Sequence, residues 1–516
     1  MKYLIFGLLF VLSLIAQGAT PNIIIIYTDD QGVGDASCLN PDSKFQTPNI
    51  DRLANEGIRF TDAHCSDTVC TPSRYGLLTG RYSWRTTLKR GVMKAEAPCL
   101  IADGRMTLAS FLRDNGYATA MVGKWHLGMD FPGTPDNRDW SQPVTDMPLD
   151  KGFDYYWGIP ASMNYGILAW FEGRYAKVPP TLFTQKKPNT MGGVFRDYRM
   201  MPPYETTLKK GLLETAPDFI DNQCLTRFTD QSIEWIKGHT AHSQKPFFLY
   251  LPYTSPHKPV VPLPEFQGLG EAGAYGEFMI ETDYHVGRLL DYLDAAGLAE
   301  NTMIVFSSDN GPETTWKQRI QAYQHHSAGI YRGGKRDIYE GGHRVPFLVR
   351  WPAGIKQPGR EWPQLIGQTD LLATFAEMVG TALPDTAGED SESFYPVLLN
   401  PDATLDRSPM IHHETSGRYG IRDGDWKLVM SHKKKTEPEL YNLARDPQEK
   451  SNVIADHPKI VQALKKKITD IVCQGRTTDG ATQPNDTGWW QDLVWMDEAE
   501  YTLHALPRVL ETLDVH

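Results

Sequence analysis

A chain of 516 residues with 41% hydrophobic and 22% charged residues has the composition of a globular protein, and it is long enough to bury a large core in more than one domain. Its formal net charge of −11 excludes a non-specific nucleic-acid binder, which needs a basic face. The same charge repels anions overall, so an anionic substrate must be drawn in by a local cluster of lysine, arginine or metal.

Residues 1–18 have the pattern of a secretory signal. Lys2 supplies a small positive start, Tyr3 to Ala16 an apolar run, and Ala16-Gln17-Gly18 the small residues for cleavage before Ala19. That run falls short of the ~20 apolar residues of a membrane span, and no later segment is long and apolar enough. The expectation is an exported protein of the periplasm or extracellular space, in a bacterial setting, with no membrane span. The six cysteines (Cys38, Cys65, Cys70, Cys99, Cys224 and Cys473) are too sparse for a disulfide scaffold, and their pairing is left open.

From Asn22 onward β and α patterns alternate. Asn22 to Tyr27 is a continuous β-branched run, suited to a strand buried on both faces. A helix is expected over Asn49 to Glu56. Another starts near Pro72 with Cys70 just ahead of it, because proline suits the first position of a helix. Unpaired N–H groups at such an end favour an anion. Then come a helix over Thr107 to Asn115, a strand over Ala118 to Val122, a helix over Phe228 to Lys237, a strand over Pro246 to Leu251, a helix over Gly276 to Ala296 and a strand over Thr302 to Phe306. The helical pattern from Asp370 to Val379 stops at Gly380, and Pro396 to Leu399 reads as a short helix. Beyond Arg407 come short strands (Pro409 to His413, Tyr419 to Arg422, Trp426 to Met430, Glu439 to Leu443), with a hairpin at Asp423-Gly424 and a helix from His457 to Val472. The expected fold class is α/β: a large mixed, mostly parallel sheet flanked by helices, plus a small C-terminal α+β subdomain with an antiparallel sheet. The expected division is 1–18 signal, 19–406 catalytic domain, and 407–516 C-terminal subdomain and tail.

The chemistry sits just past the end of each strand. The first strand runs into Asp29-Asp30, and the second into Gly123-Lys124-Trp125-His126-Leu127-Gly128. The third leads to His257-Lys258-Pro259, and the fourth to Asp309-Asn310-Gly311. Ligands of open α/β sheets bind at the carboxyl ends of the strands. Taken singly, each piece has a plain reading: a capped turn, a tight turn, a hydrogen-bonded histidine, or a solvated lysine in Gly333-Gly334-Lys335-Arg336. Together they describe one shared site.

Cys70-Thr71-Pro72-Ser73-Arg74, with Leu77-Leu78-Thr79-Gly80-Arg81 behind it, resembles the signature of the type I sulfatases of the alkaline phosphatase superfamily. Gly116-Tyr117-Ala118-Thr119 through Gly128 resembles the family's second signature. Gly341-Gly342-His343-Arg344-Val345-Pro346 and Asp425-Trp426-Lys427-Leu428 are also family-like, so the resemblance covers most of residues 20–480. It implies that Cys70 is oxidised to formylglycine by a formylglycine-generating maturation enzyme, and that Arg74 holds the modified residue. It implies that Asp29, Asp30, Asp309 and Asn310, with modified Cys70, hold a divalent cation, Ca²⁺ with Mg²⁺ as the alternative. Such an all-oxygen set suits hard cations and is poor for zinc. By the same resemblance, Lys124, Lys335 and the cation clamp the sulfate, His257 protonates the leaving oxygen, and His126 takes the proton of the second hydroxyl of the aldehyde hydrate.

The function expected is that of a sulfatase, a sulfuric ester hydrolase, exo-acting on a sulfated carbohydrate. The alternatives are a phosphonate monoester or phosphodiester hydrolase with the same nucleophile, and a non-catalytic sulfated-glycan-binding protein if Cys70 stays unmodified. Two further segments are candidates for the substrate surface. One is the aromatic, basic stretch from Gly152 to Asp197, with Phe153, Tyr155, Tyr156, Trp157, Tyr165, Trp170, Phe171 and Arg174. The other comprises His412, His413 and Arg418, reaching in from the C-terminal subdomain.

Overall fold

The structure, a computed structural model, describes residues 20–185, 212–432 and 436–505. The expected signal at 1–18 lies outside them, as do residues 186–197 of the aromatic stretch.

Among the described residues ten strands form the main sheet: β1 (Asn22–Asp29), β2 (Gly57–Phe60), β3 (Ala118–Lys124), β4 (Tyr155–Ile159), β5 (Phe171–Glu172), β6 (Tyr175–Ala176), β7 (Phe247–Pro256), β8 (Thr302–Ser308), β9 (Phe347–Arg350) and β10 (Arg360–Trp362). They lie in the order β10-β2-β9-β8-β1-β7-β3-β4-β5-β6. The central run from β8 to β4 is parallel, and antiparallel pairs flank it on both sides. Ile23 to Ile26 of β1 are fully buried on both faces, as a central strand between two helical layers must be. Helices α1 (Pro48–Asn55), α2 (Cys70–Thr79), α3 (Leu108–Asp114), α4 (Cys224–His242), α5 (Gly273–Ala295) and α6 (Leu371–Val379) supply those layers. Of these, α5 packs on both α1 and α4, and α2 packs with α3 and α6. No helix among the described residues is long and apolar enough to cross a membrane.

Helix α2 starts at Cys70 itself, ahead of the position that Pro72 suggests. Pro72 is the third residue and still lies in the first turn, where an N–H has no intrahelical partner to lose. Val69 before the helix is extended, and Gly80 after it holds φ 62°, the left-handed cap at which glycine escapes a Cβ clash. All ten residues of α2 are buried.

The aromatic stretch is core rather than a sugar platform. Phe153, Tyr156, Trp157, Trp170 and Phe171 are buried, because β4 and the β5–β6 hairpin extend the sheet and α4 covers them. Trp157 stacks on Trp170 at 5.1 Å, and both meet the edge of Phe228. Arg174 is held by Asp150.

A second sheet is antiparallel, in the order β11 (Met410–His413), β12 (Tyr419–Asp423), β13 (Trp426–Val429), β14 (Glu439–Asn442), and helix α7 (Pro458–Gln474) packs on it. Tyr82 and Trp84, just past α2, enter its core beside Ile411, Tyr419, Leu428 and Ile468. Nearby, the buried Arg85 guanidinium donates two hydrogen bonds to Asp390. The small sheet therefore rests on the chain segment that leaves the Cys70 helix.

Gly123 sets the spacing of β3 against β7. It holds φ +139°, and a Cβ there would lie 2.1 Å from the carbonyl oxygen of Pro252. Gly123→Ala is expected to cost about 1–3 kcal/mol, the range for overpacking a core. It should also displace Lys124 next to it. Urea unfolding of the two proteins measures this, and an unchanged midpoint would rule the close approach out.

Candidate active site

The carboxyl ends of β1, β3, β7 and β8 open at one edge, and α2 points its first residue at the same place. Asp29 closes β1, and Asp30 comes next with φ 69°. His126 just beyond β3 holds φ 61°. Left-handed backbone at non-glycine residues is uncommon and concentrates where surrounding structure holds a functional group in place. Asp309 and Asn310 come directly after β8. Close packing of the next turn requires Gly311, since a Cβ there would meet the Gly341 carbonyl oxygen at 1.9 Å.

Three buried carboxylates face three buried cations. Arg74 donates from Nε and Nη2 to Asp309 Oδ2, at 3.2 and 2.8 Å, and from Nη1 to the Lys124 carbonyl at 3.2 Å. Lys124 Nζ donates to Asp29, and Lys335 Nζ to Asp30. The Asp30 N–H donates to Asp309 Oδ1 at 3.1 Å. Asn310 Nδ2 donates to Asp30 Oδ1 at 2.8 Å, which turns its amide oxygen the other way. Burial raises the Asp30 carboxyl, yet Lys335 and His257 outweigh it and hold that group below the usual carboxylate range. Asp309 goes the other way: burial, then the neighbouring charge of Asp29, push it up to about 6 against the pull of Arg74.

The donor set fits a hard divalent cation. Asp29 Oδ1, Asp30 Oδ2 and Asn310 Oδ1 are buried and have no hydrogen-bond partner. Buried polar atoms are rarely left so. Ligand atoms of Asp29, Cys70 and Asp309 lie within 4.8 Å of one another, as do those of Asp29, Asp30 and His257. Carboxylate and amide oxygens at this density are what Ca²⁺ or Mg²⁺ take. With its own three carboxylates and three cations the site is neutral; a dication there would make it positive and so attractive to an anion despite the protein's overall charge.

Cys70 lines a cavity of about 200 Å³ together with His126, His257, Lys335, Tyr165 and Arg336. Burial pushes the Cys70 thiol up, partly offset by Lys124 and Lys335. His257 Nδ1 lies 2.6 Å from the Lys258 carbonyl oxygen. A carbonyl only accepts, so Nδ1 carries hydrogen and Nε2, 3.7 Å from Asp30 Oδ2, is the exchangeable position. Burial lowers this ring to about 3, with Lys335 and Lys124 adding to the effect and Asp30 opposing it. His126 has the converse arrangement. Its Nε2 donates to the Met93 carbonyl at 3.2 Å, and Nδ1 is buried without a partner. Burial first, then Lys124 and Arg74, hold this ring well below the usual histidine range, leaving a lone pair ready for a proton.

All the residues singled out at the strand ends meet here. Lys124 and Arg74 lie beneath the cavity rather than on its wall, bound to Asp29 and Asp309. Of the aromatic and basic side chains singled out in the two further candidate segments, Tyr165 is the one that reaches the cavity among the described residues, its ring edge-on to His126 at 5.5 Å, with Ser162 and Asn164 beside it. His413 instead pairs with Asp67 at 2.5 Å. His412 stacks on His343 at 3.8 Å, and Arg418 bonds the Met430 carbonyl and Glu439. The two histidines join the C-terminal sheet to the main domain, and the C-terminal subdomain reaches the cavity through Thr415. Arg336 and Lys258 stand in the quoted segments but receive no role from the sequence, because nothing in a local window separates a wall residue from a solvated one. No disulfide joins any of the six cysteines. In a second buried group, His64, Glu340, His343 and His412, both oxygens of Glu340 are taken, by Arg344 and Lys427, whereas neither ring nitrogen of His412 has a hydrogen-bond partner.

The family model for sulfatases matches residues 21–381, and that for the C-terminal part of N-sulphoglucosamine sulphohydrolase matches residues 329–474. The chain belongs to the sulfatase family. It is 33% identical over 484 residues to N-acetylgalactosamine-6-O-sulfatase of Bacteroides thetaiotaomicron, covering 87% of this chain and 93% of that one. It is 31% identical over 481 residues to human arylsulfatase A, covering 88% of each. A solved Bacteroides thetaiotaomicron chain, described under the metabolism of multiple glycosaminoglycans, superposes with a TM-score of 0.75 at 31% identity, covering 88% of this chain and 99% of that one. The sulfatase is thus a sulfuric ester hydrolase with the alkaline phosphatase-like fold.

Proposed function

We propose that this sulfatase is exported and removes a terminal sulfate ester from a sulfated carbohydrate, using Cys70 as formylglycine and a cation held by Asp29, Asp30, Asp309 and Asn310. One observation carries the reading: three buried oxygens without partners, on Asp29, Asp30 and Asn310, belong to a cluster packed directly against Cys70, His257 and Lys335 of the cavity wall. The cavity, at about 200 Å³, has room for one sulfated unit rather than a polymer passing through, which favours exo action. The 33% identity to N-acetylgalactosamine-6-O-sulfatase makes a sulfated hexosamine the first substrate to test.

The chain's own residues divide the work among them. A divalent cation and an aldehyde hydrate at position 70 would supply, respectively, positive charge beside the sulfate and a hydroxyl nucleophile acidic enough to attack. Arg74 fixes Asp309 and, through the Lys124 carbonyl, the end of β3, so the floor is held before substrate arrives. Lys335 and Lys124 provide charge for the sulfate oxygens. His257 Nε2 receives a proton as the negative ester settles beside it and delivers it to the leaving sugar oxygen. His126 Nδ1 takes the proton whose removal restores the carbonyl at position 70 and frees sulfate.

The test is mass spectrometry of the Cys70 peptide from protein made in its native host, paired with turnover of sulfated saccharides. The peptide should carry an aldehyde or its hydrate in place of CH₂SH, and a sulfated hexosamine should lose sulfate. An unmodified thiol throughout, or a clear preference for phosphodiesters on matched aryl substrates, would sink the reading.

A further inference from the structure

The wall of the cavity carries two cations that the mechanism above does not use. Arg336, next after Lys335, holds φ 79°, and its N–H is bound by the Thr68 carbonyl at 3.0 Å. A left-handed arginine is uncommon, and here it places consecutive basic residues in one cavity, Lys335 deep and Arg336 higher. Arg336 donates from Nη1 and Nη2 to the two oxygens of Glu313, at 2.6 and 3.2 Å. Lys258, next to the proposed acid His257, has Nζ 3.5 Å from the same carboxylate. Glu313 is only 8% exposed and also accepts from the Thr314 N–H and hydroxyl. The two basic side chains remain 43% and 45% exposed.

Two cations share one carboxylate, so this wall carries one uncompensated positive charge in a protein whose net charge is −11. The Arg336 fork uses one hydrogen of each terminal nitrogen on Glu313. Nε–H and the second hydrogen of each terminal nitrogen remain for a ligand, in the planar pattern that matches a carboxylate or sulfate. Glu313 fixes that plane in advance, so less freedom is lost when a ligand binds.

We propose that Arg336 and Lys258 form a second anion subsite, which takes a carboxylate or second sulfate lying beside the ester that is cleaved. This rests on the reading of the enzyme as a glycan sulfatase and narrows its substrate to a sugar carrying at least two negative groups. Arg336 and Lys258 are specificity-determining residues; the bonds that form and break are those of the parent reaction.

The experiment compares kcat/KM of the mature enzyme on three substrates: a monosulfated hexosamine, the same hexosamine with a second sulfate, and a disaccharide joining the monosulfated hexosamine to a uronic acid. 4-Nitrophenyl sulfate is the common reference. One of the doubly charged substrates should exceed the monosulfated sugar by about tenfold or more, the factor that one charge-assisted hydrogen bond carries. Which of them does so distinguishes sulfate from carboxylate as the second anion. The ratio should fall toward unity in the Arg336→Ala/Lys258→Ala double variant, through KM, and should shrink as salt rises. Glu313→Gln, which removes the competing charge and keeps the shape, should raise the ratio. Equal rates on all three sugars, or a ratio that survives in the double variant, would overturn the subsite while turnover of the monosulfated sugar still stands. No turnover of any sugar or of 4-nitrophenyl sulfate, from enzyme with Cys70 converted, would overturn the parent reading and the subsite with it.

Discussion

Asp309→Asn is expected to leave a folded protein without its bound divalent cation, and to lower kcat on every sulfate ester by about 10³-fold or more, the scale of preorganised electrostatic stabilisation in an active site. Asp309 has two duties, and the substitutions separate them. It is the direct partner of the fully buried Arg74 guanidinium, and it belongs to the group of ligand atoms with Asp29 and Cys70. Asn keeps the bulk and an accepting oxygen for Arg74 but loses the charge. Asp309→Ala leaves Arg74 buried with Asp29 as its remaining carboxylate, whose Oδ1 lies 3.9 Å away. That variant should also lose about 3–5 kcal/mol of stability, the cost of breaking a buried pair from one side. The elevated position of Asp309, up to about 6, fits a carboxylate that arginine alone does not fully compensate. Elemental analysis of the purified variants, denaturant unfolding and turnover report the three effects separately. Full activity in Asp309→Asn, or in wild type after thorough chelation, would remove the cation from the mechanism.

His257→Ala should divide substrates by leaving group. On a sulfated sugar it is expected to lower kcat by about 10²–10⁴-fold, the range of a general acid, because a sugar alkoxide leaves only with a proton. On 4-nitrophenyl sulfate, whose phenolate leaves unaided, the loss should be far smaller. The geometry carries the distinction: Nδ1 is tied to the Lys258 carbonyl, so Nε2 alone is available on the cavity side. His126→Ala is the control. Its ring takes a proton after the leaving group has gone, so both substrates should slow alike. Equal losses on both substrates for His257→Ala would reassign that ring to holding sulfate.

Much of the fold is legible in the sequence because its signals are local. A run such as Asn22 to Tyr27 has too many β-branched side chains for anything but a strand covered on both faces. The observed strand, ending at Asp29, differs from that reading only where the apolar run stops. The start of α2 is less legible, because proline is tolerated throughout the first turn of a helix. The aromatic stretch misleads for a different reason. Tyr156, Trp157 and Trp170 would stack on a sugar or fill a core equally well, and composition does not say which face they meet. Helix α4, over fifty residues further along, covers them. The same holds for His412 and His413, whose partners His343 and Asp67 belong to distant parts of the chain.

The chemistry is written locally, because each reacting group stands directly after the strand, or at the start of the helix, that aims it. Asp29-Asp30, Lys124, His257 and Asp309-Asn310 sit at strand ends, and Cys70 stands in a short motif at a helix start. Only the folded arrangement settles whatever needs two distant segments at once. Arg74 meets Asp309 across 235 positions, and Lys335 meets Asp30 across 305. Glu313 brings Arg336 and Lys258 to the same wall. The physical reason is that a side chain's residue type sets what it can bond, whereas burial and net local charge are sums over every element packed around it.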